Sequence, residues 1–340
     1  SNAIFEGKLV KLTKFDAGFG KGNLSATGSY RSDSTEFDID MVAKSIPANK
    51  ILAFFPKSDS TPDIDGNIDA TGKATGRSAD SATYNINFTG NGTGVSINKS
   101  RFGRIDFEGK TQNQTLNAIA TTNISGKKQL LTARLDFSDE RLPFSAETNL
   151  VQAPITPYLA IFRPFEPGSV EITGALTGKI EAAGDLTSVG ADGERTFTWD
   201  NVSGNANLSQ ASFQFDETPL TATEPVVIKF STSEIVFANA KFAGGGSNLV
   251  VAGTKAFTDS GINNLAIDGK VNLGILRAFS RNTLKNIFLS GVADVAVRLS
   301  GVNRTSRLNG TAVLDNGSAA TFVGPSRISF ERLNGRVRFT

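Results

Sequence analysis

The chain contains no cysteine and no histidine. Without these residues the sequence cannot supply a thiol nucleophile, a Ser-His or Cys-His pair, a haem ligand or most zinc sites. Two S-x-x-K sequences, at 96–99 and 125–128, lack a helical pattern and a companion K-T-G sequence, so they do not indicate an acylase. The acidic residues before Gly66 lack the complete spacing of a calcium loop. The sequence therefore predicts a protein that is not an enzyme and that has neither a metal nor another cofactor.

A strong net charge and long apolar runs are also missing. The 35 lysines and arginines nearly balance the 33 aspartates and glutamates, so the net charge of +2 gives no electrostatic reason to expect nucleic acid as a partner. No apolar run approaches the roughly 18 residues that a membrane-spanning helix requires. Tryptophan and tyrosine are rare, with 1 and 3 residues, whereas glycine and phenylalanine are frequent, with 34 and 25. This composition favours a β protein punctuated by glycine.

The most informative stretch, residues 169–184, alternates between apolar and polar residues. Val170, Ile172, Leu176 and Ile180 share one face with glycines, whereas the other face is mainly polar. Alternation at period two predicts a β-strand with one apolar and one solvated face. The stretch is much longer than the usual strand of about 5–6 residues. Glycines on its apolar face predict bends or close approach of a neighbouring backbone.

The same strand pattern occurs three times, over residues 63–76, 169–184 and 287–301. Each copy contains two glycines ten residues apart, which are Gly66 and Gly76, Gly174 and Gly184, and Gly291 and Gly301. The copies recur at intervals of just over a hundred residues. This recurrence predicts a protein built from repeats. We place the units at about 4–125, 126–233 and 234–340 within a single elongated β domain.

A short helical stretch precedes each long strand and carries a leucine and a phenylalanine three residues apart. These residues are predicted to anchor each helix to the sheet, and they are Leu52, Phe55, Leu159, Phe162, Leu276 and Phe279. Thr156 and Asn272 are predicted to cap the second and third helices. The polar segment 188–195 is predicted to be a loop.

Further alternating segments lie between the long strands and are joined by short turns. This order predicts an all-β protein with an antiparallel meander. Three short helices cannot cover the apolar face of so large a sheet. The sheet therefore either closes on itself, as a β-sandwich or a β-solenoid, or curls into a trough whose apolar interior stays open.

Both ends of the sequence favour a fragment of a longer protein. Residues 1–3 have the sequence of a cleaved expression-tag scar, so we leave them out of the fold prediction. The chain stops at Thr340 inside an alternating run. We therefore expect the natural protein to continue beyond this sequence.

Three features of the sequence resemble the TamB/AsmA-like family of envelope proteins. The first is the recurrence of long strands of the Leu-x-Gly-x-Leu-x-Gly type, such as 172–178, after a short Leu-x-x-Phe helix. The others are the run Leu-Asn-Gly-Thr-Ala-Val-Leu-Asp-Asn-Gly at 308–317 and the ending Ile-Ser-Phe-Glu-Arg-Leu-Asn-Gly-Arg-Val-Arg-Phe at 328–339. The similarity covers nearly the whole chain.

The resemblance implies a β-taco, which is a long curled sheet with a hydrophobic groove open along one side. It also implies a location in the periplasm of the bacterial cell envelope, with an inner-membrane anchor in the full-length protein. The implied activity is to shield phospholipid acyl chains during transport between the inner and outer membranes. The alternative is a chaperone-like scaffold that assists outer-membrane β-barrel assembly by β-augmentation. The implied partners are a phospholipid or another acyl-chain lipid and an outer-membrane assembly protein.

Apolar residues of the three long strands are the predicted lining of that groove. They are Ile64, Ile68, Val170, Ile172, Leu176, Ile180, Ile287, Leu289, Val295, Val297 and Leu299. A repeated and unspecific apolar lining suits a conduit, because transport requires small free-energy differences between neighbouring sites. Two rival interpretations stay open: the same residues fill a closed β core, or exposed sheet edges bind other strands.

Overall fold

The computed structural model describes residues 2–52, 63–97, 99–124, 126–162, 172–190, 195–198, 201–275, 287–323 and 326–340. Within these residues the protein is almost entirely β, with short helices and one 3-10 turn at Asn303–Thr305. The all-β prediction is confirmed. No helix in the described ranges is long and apolar enough to cross a bilayer.

The element bounds follow the chain in order. They are β1 Asn2–Glu6, β2 Leu9–Phe19, β3 Gly22–Arg31, β4 Glu36–Pro47, α1 Ala48–Leu52, β5 Ile64–Arg77, β6 Asp80–Ile97, β7 Ser100–Gln112, β8 Thr115–Ile124, β9 Lys127–Asp136, β10 Pro143–Pro154, α2 Ile155–Phe162, β11 Ile172–Asp185, β12 Thr187–Val189, β13 Arg195–Phe197, β14 Ser203–Phe215, β15 Thr218–Ala222, β16 Val226–Ser231, β17 Glu234–Gly244, β18 Ser247–Ala256, β19 Ile262–Asn272, β20 Ile287–Val302, β21 Arg307–Val323 and β22 Ser326–Phe339.

Twenty of the described strands belong to one sheet, and β12 and β13 form a separate two-stranded ribbon. Consecutive strands pair antiparallel from β1 to β10 and again from β16 to β22. The strand β14 pairs with both β15 and β16, and β17 also pairs with both. The predicted antiparallel meander is confirmed.

The chain divides into two compact units. Unit 1 comprises residues 1–149, 160–164 and 181–202, and unit 2 comprises residues 150–159, 165–180 and 203–340. The division falls inside β10 and β11, so it does not follow the three predicted repeat units.

In unit 1, central strands such as β6 have one half-buried face and one exposed face. Along β6, Tyr84, Ile86 and Phe88 are half-buried, whereas Asn85 and Asn87 between them are exposed. Successive side chains of a strand point to opposite faces, so the sequence alternation translates directly into an apolar and a polar face. The amphipathic strand pattern predicted from the sequence is present here.

Unit 2 contains a buried apolar core. Leu150 and Val226 are each 2% exposed and lie in one cluster with buried alanines of β10, β14 and β17. Half-buried residues pack around this cluster, among them Tyr158 of α2. Burial raises the pKa of the Tyr158 hydroxyl above its ordinary value. A second cluster consists of Phe215, Leu220, Leu249 and Ile275.

The first two sequence repeats share a structural joint before their helices. Ser45 of β4 and Gln152 of β10 have left-handed φ values of 50° and 49°, and each lies two residues before the proline that ends its strand. The Ser45 N–H donates to Asp69 Oδ1 at 2.8 Å, and the Gln152 N–H donates to Thr177 Oγ1 at 3.2 Å. Both acceptors lie three residues after the first repeat glycine, so the sequence repeat corresponds to a repeated backbone arrangement.

Gly174 shows the close backbone approach that the repeat glycines predict. Its φ is +147°, and a methyl group at this position would overlap the carbonyl oxygen of Ser212 on β14. The Ser212 hydroxyl links the two strands at this point. It accepts a hydrogen bond from the Ala175 N–H and donates one to the Ala175 carbonyl, both at 3.3 Å. The absent side chain therefore lets β11 and β14 approach closely.

The two predicted helix caps have different outcomes. Asn272 Oδ1 accepts a hydrogen bond from the Gly274 N–H at 2.8 Å, which is the expected capping contact. The residues of the third predicted helix beyond Ile275 lie outside the described part of the chain. Thr156 lies inside α2, and its hydroxyl donates to the Ile172 carbonyl at 3.3 Å. The N-cap prediction for Thr156 is therefore wrong.

The polar segment 188–195 is not a loop throughout. Ser188 belongs to β12 and Arg195 to β13, and these strands pair with each other. The Ser188 and Thr196 hydroxyls lie 2.7 Å apart across this ribbon. Residues 191–194, at the centre of the predicted loop, lie outside the described ranges.

The turn between β9 and β10 contains an ion pair between Arg141 and Asp139 that lowers the pKa of the Asp139 carboxyl. Hydrogen bonds from the Arg141 guanidinium, followed by one from the Arg141 N–H, lower the pKa of Asp139 to about 2. Arg141→Gln is expected to raise this pKa towards 3.8. Because the folded-state pKa is lowered, the stabilisation is present above pH 4 and is lost as the pH falls towards 2.

The Asp139 titration can be followed by NMR of its side-chain carboxyl carbon. Lys110→Gln, which removes a charge elsewhere in unit 1, is expected to leave the midpoint unchanged. An Asp139 midpoint that does not move in Arg141→Gln would contradict the assigned hydrogen bonds.

Candidate functional site

The strand register of unit 1 aligns small residues into rows that run across the apolar face. One row crosses β4 to β10 through Met41, Gly72, Phe88, Gly109, Ala118, Ala133 and Ala146. The neighbouring row crosses the same strands through Ala43, Ala70, Gly90, Phe107, Ala120, Leu131 and Thr148. The two rows are two residues apart along each strand, which is about 6.6–6.8 Å. Together they form a strip dominated by glycine and alanine.

Larger apolar residues flank this strip. On one side the next row contains Leu116, Leu135 and Phe144 on β8, β9 and β10. On the other side Ile46, Ile68 and Ile105 lie on β4, β5 and β7. Over β8 and β9 this second row continues as Thr122 and Gln129, so the small residues there form a shallow groove with one apolar flank and one more polar flank.

Two phenylalanines fill part of the strip. Methyl groups on Gly109 and Gly90 would meet the rings of Phe88 and Phe107, so each ring lies over the glycine of a neighbouring strand. The ring centroids of Phe88 and Phe107 are 6.2 Å apart. Beyond these rings the strip continues over β8, β9 and β10 as Ala118, Ala120, Ala133 and Ala146, which we call the alanine floor.

The apolar face of unit 1 is incompletely covered. Ile39, Ile86 and Phe107 are half-buried, and Leu131 beside the alanine floor is 44% exposed. Side chains under a second packed layer would be fully buried, as Leu150 is in unit 2. The middle of this face is therefore accessible to a ligand.

The strand ends of unit 1 are better sealed than the strand centres. Ile46, Val95, Phe102 and Ile124 are buried at one end of the strands. At the other end the Tyr84 ring contacts Phe37 and Phe137, with centroid distances of 5.7 and 5.5 Å. Buried residues at both ends hold the strands together, so the open centre does not require a covering layer for support.

The predicted lining residues of the first repeat lie on this apolar face. Ile64 pairs with Ile97, and Ile68 lies between Ile46 and Gly92. Both predicted residues are half-buried. A methyl group on Gly92 would lie 3.2 Å from Ile68 Cδ1, so Ile68 covers that glycine.

The predicted lining residues of the second repeat face the core of unit 2. Leu176 and Ile180 pack against the cluster that contains Leu150, and Ile172 packs against the cluster that contains Leu249. These three residues are half-buried and pack against the core of unit 2, and their role as a lining stays a prediction. The sequence pattern did not distinguish them from the other copies, because covering groups come from distant parts of the chain.

The predicted lining residues of the third repeat lie on a more open part of unit 2. Leu289, Val295, Val297 and Leu299 are half-buried on β20. Across β21, the rows of Leu289 and Val295 reach β22 at Phe330 and Val337, which are 54% and 55% exposed. This surface has the composition of an apolar binding face.

Several predicted residues, or their side chains, lie outside the described part of the chain. Val170, Phe55, Leu276 and Phe279 lie outside the described residues. For four more residues only the backbone is described. Leu52 belongs to α1, Leu159 and Phe162 belong to α2, and Ile287 belongs to β20. Their anchoring and lining roles stay predictions.

The alanine floor and the two phenylalanines were not predicted as site residues. Alternation around Ile86 and Phe88 marks their face, but it does not show which residues lie opposite them. The register comes from pairing with β5 and β7. Small residues also carry a weak signal, because alanine occurs in cores and on surfaces alike.

A separate groove lies on the polar face of unit 1. Its volume is about 730 Å³, and its lining includes Asp69, Arg104, Asp106 and Glu108. Arg104 and Asp106 are 2.7 Å apart, and their hydrogen bond raises the pKa of the guanidinium and lowers the pKa of the carboxyl. Ala43, Ala70, Gly90 and Phe107 of the strip also border this groove. The groove differs in chemistry from the alanine floor because most of its lining side chains are polar or charged.

In comparisons with protein families, curated proteins and solved structures, nothing matches this chain. The functional conclusion therefore depends on the surfaces described above.

Proposed function

We propose that this protein binds acyl chains of phospholipids on the apolar face of its sheet and shields them during transport between membranes. The proposed setting is the periplasm of a bacterial cell envelope, in agreement with the resemblance of the sequence to TamB/AsmA-like proteins. The observation that carries the proposal is the half-exposed apolar strip of unit 1 with its alanine floor. The proposed role is binding without covalent chemistry.

The chemistry of the strip suits a hydrocarbon chain. The side chains of the alanine floor contain no polar atoms, and the flanking residues Leu116, Leu135 and Phe144 are also apolar. Each methylene group buried on such a surface contributes about 0.8 kcal/mol. A chain of about 16 carbons therefore contributes up to about 13 kcal/mol before the cost of ordering it.

The dimensions of the strip also suit a lipid tail. The seven strands from β4 to β10 are spaced about 4.8 Å apart, so a row across them extends about 29 Å. One leaflet of a bilayer provides about 15 Å of hydrocarbon thickness. The row is therefore longer than a lipid tail, but the Phe88 and Phe107 rings occupy its centre, and its open part is the alanine floor over β8 to β10.

Ala133→Trp is expected to weaken acyl-chain binding about 15-fold. The indole would occupy the alanine floor and displace about two methylene groups, which corresponds to about 1.6 kcal/mol. The matched control is Arg134→Trp, which places the same side chain on the opposite, exposed face of β9. Binding is measured by displacement of a fluorescent fatty acid and by native mass spectrometry of co-purified phospholipid.

Equal affinity of Ala133→Trp and Arg134→Trp for the fatty acid would contradict the proposal. Absence of bound lipid in the unchanged protein, at concentrations where a tail of this length would bind, would also contradict it. A photoactivatable fatty acid should label the alanine floor and should not label Leu176 or Ile180, which pack in the core of unit 2.

The edge strand β22 favours a second candidate function, which is binding of an extended peptide by β-augmentation. Among the described strands, the strand register pairs β22 with β21 alone, so the backbone groups on the other edge of β22 have no strand partner there. Ile328 and Phe330 on this strand are 42% and 54% exposed. Crosslinks from outer-membrane β-strand peptides to β22, without lipid on the alanine floor, would favour this candidate over acyl-chain binding.

A further inference from the structure

The final part of the chain is unusually rich in arginine. Residues 287–340 contain seven of the 17 arginines, no lysine and three acidic residues, which gives a net charge of 7 − 3 = +4. The whole chain has a net charge of +2, so residues 1–286 together carry 2 − 4 = −2. Positive charge is therefore concentrated on β20, β21 and β22 and their connections.

The strand register brings four of these arginines to one face of the sheet. Arg298 on β20 lies opposite Asn309 on β21. Two residues further along β21, Thr311 lies opposite Arg338 on β22. The face is also shared by Arg307 and Arg336, which lie opposite Ser300 and Val313. Strand spacings place neighbouring arginines of this set roughly 7–12 Å apart at their Cα atoms. We call Arg298, Arg307, Arg336 and Arg338 the arginine face.

Within the described part of the chain, no ion pair neutralises the charge of this face. All four side chains are exposed, and none has an ion pair with another residue in the described ranges. This differs from Arg104 and Arg141 of unit 1, which each pair with an aspartate.

Three acidic residues share the arginine face. Asp268 of β19 lies diagonally across from Arg298, Asp294 lies opposite Lys270 and Val313, and Asp315 lies opposite Val292. The face therefore carries Lys270 and the four arginines against three carboxylates. A residual positive charge therefore faces the solvent.

We propose that the arginine face docks the protein onto an anionic phospholipid bilayer by contacting headgroup phosphates. Guanidinium groups form bidentate hydrogen bonds with phosphate oxygens. The four arginines are distributed over three strands of a sheet face and do not converge on a pocket, so they match a surface that carries many phosphates better than a single phosphate ion. Each basic residue held near an anionic membrane strengthens binding about fivefold.

Apolar side chains at the edge of the same sheet support a bilayer as the partner. Phe330 and Val337 are exposed on the other face of β22, the edge strand that also carries Arg336 and Arg338. Because β22 is the edge strand, side chains from both faces of the sheet lie beside the same sheet edge. Arginines can therefore contact phosphates while the neighbouring apolar groups enter the interface between headgroups and acyl chains.

The experiment is flotation of the full chain with vesicles of phosphatidylglycerol and phosphatidylcholine, compared with vesicles of phosphatidylcholine alone. The test variant is R298Q/R307Q/R336Q/R338Q. The control variant R101Q/K110Q/K128Q/R134Q removes the same charge from exposed positions of unit 1. We expect the unchanged protein and the control to float with anionic vesicles, and we expect the test variant to bind at least about a hundredfold more weakly.

Salt provides a second measurement that needs no variant. Binding of the unchanged protein should weaken steeply between about 0.1 and 1 M ionic strength, where the Debye length falls from about 10 to about 3 Å. Salt-independent binding, equal loss in the two variants, or equal binding to both vesicle types would overturn the proposal. Complete competition by inorganic phosphate would also overturn it, because that result indicates a site for one ion and not a surface.

Acyl-chain binding and membrane docking are separable. Ala133→Trp is expected to leave flotation unchanged, and the arginine variant is expected to retain fatty-acid binding. Loss of flotation in Ala133→Trp would show that vesicles are held through the apolar strip, and it would therefore overturn docking by the arginine face.

Discussion

Shortening Leu150 to alanine is expected to lower the free energy of unfolding by about 2–5 kcal/mol. Leu150 is 2% exposed and belongs to the buried cluster of unit 2 with Val226 and Ala240. The substitution removes apolar contacts and leaves a cavity, because the surrounding strands are held by their own hydrogen bonds and cannot collapse into it. Urea denaturation followed by far-UV circular dichroism measures the change.

The matched control for Leu150 is Ile86→Ala on the apolar face of unit 1. Ile86 is half-buried, so its three deleted carbons lose only part of about 0.8 kcal/mol each, and the expected cost is about 1 kcal/mol. A cost for Ile86→Ala as large as that for Leu150→Ala would show that the unit 1 face is a closed core. That result would contradict the proposed acyl-chain strip.

Gly174→Ala is expected to destabilise the protein by about 2–4 kcal/mol. A methyl group there would overlap the Ser212 carbonyl, and the φ of +147° is unfavourable for alanine. Relief of the overlap requires movement of β14 next to Ala211 and Phe213, which belong to or pack against the unit 2 core. The substitution therefore affects both strand pairing and core packing.

Gly335→Ala is the control for the glycine substitution. Gly335 lies on β22, and nothing lies within 4 Å of the position that its methyl group would take. The expected change in unfolding free energy is below about 1 kcal/mol. A comparable loss at Gly174 and Gly335 would show that the cost comes from the general replacement of glycine in a strand and not from close approach of β11 and β14.

These predictions distinguish apolar residues that are packed in buried clusters from apolar residues that stay half-exposed. Where buried clusters occur in unit 2, apolar residues stabilise the fold, and their loss is expected to unfold the protein. Where the face stays half-exposed, in the centre of unit 1 and on β20 to β22, apolar residues contribute less to stability and are available to a ligand. Lipid-binding defects without loss of stability are therefore expected only in the second class.

Local sequence features were sufficient for the strand faces and for one helix cap. Alternation identified the apolar face of β6, and Asn272 supplies the predicted capping oxygen. The sequence repeat also has a structural counterpart in the joints at Ser45 and Gln152. These features depend on residues close in the chain, so a short window of sequence contains the relevant interactions.

Whether other side chains pack on an apolar strand face depends on the tertiary structure. Leu176 and Val295 have similar alternating surroundings in sequence, yet Leu176 packs against a buried cluster, whereas the row of Val295 reaches Val337, which is 55% exposed. The alanine floor likewise exists only because the register places Ala118, Ala133 and Ala146 side by side. The sequence by itself determined which side of each strand is apolar, because that side follows from a period of two. Only the tertiary structure decided which apolar sides are filled and which are open, because filling depends on residues that are far apart in the chain.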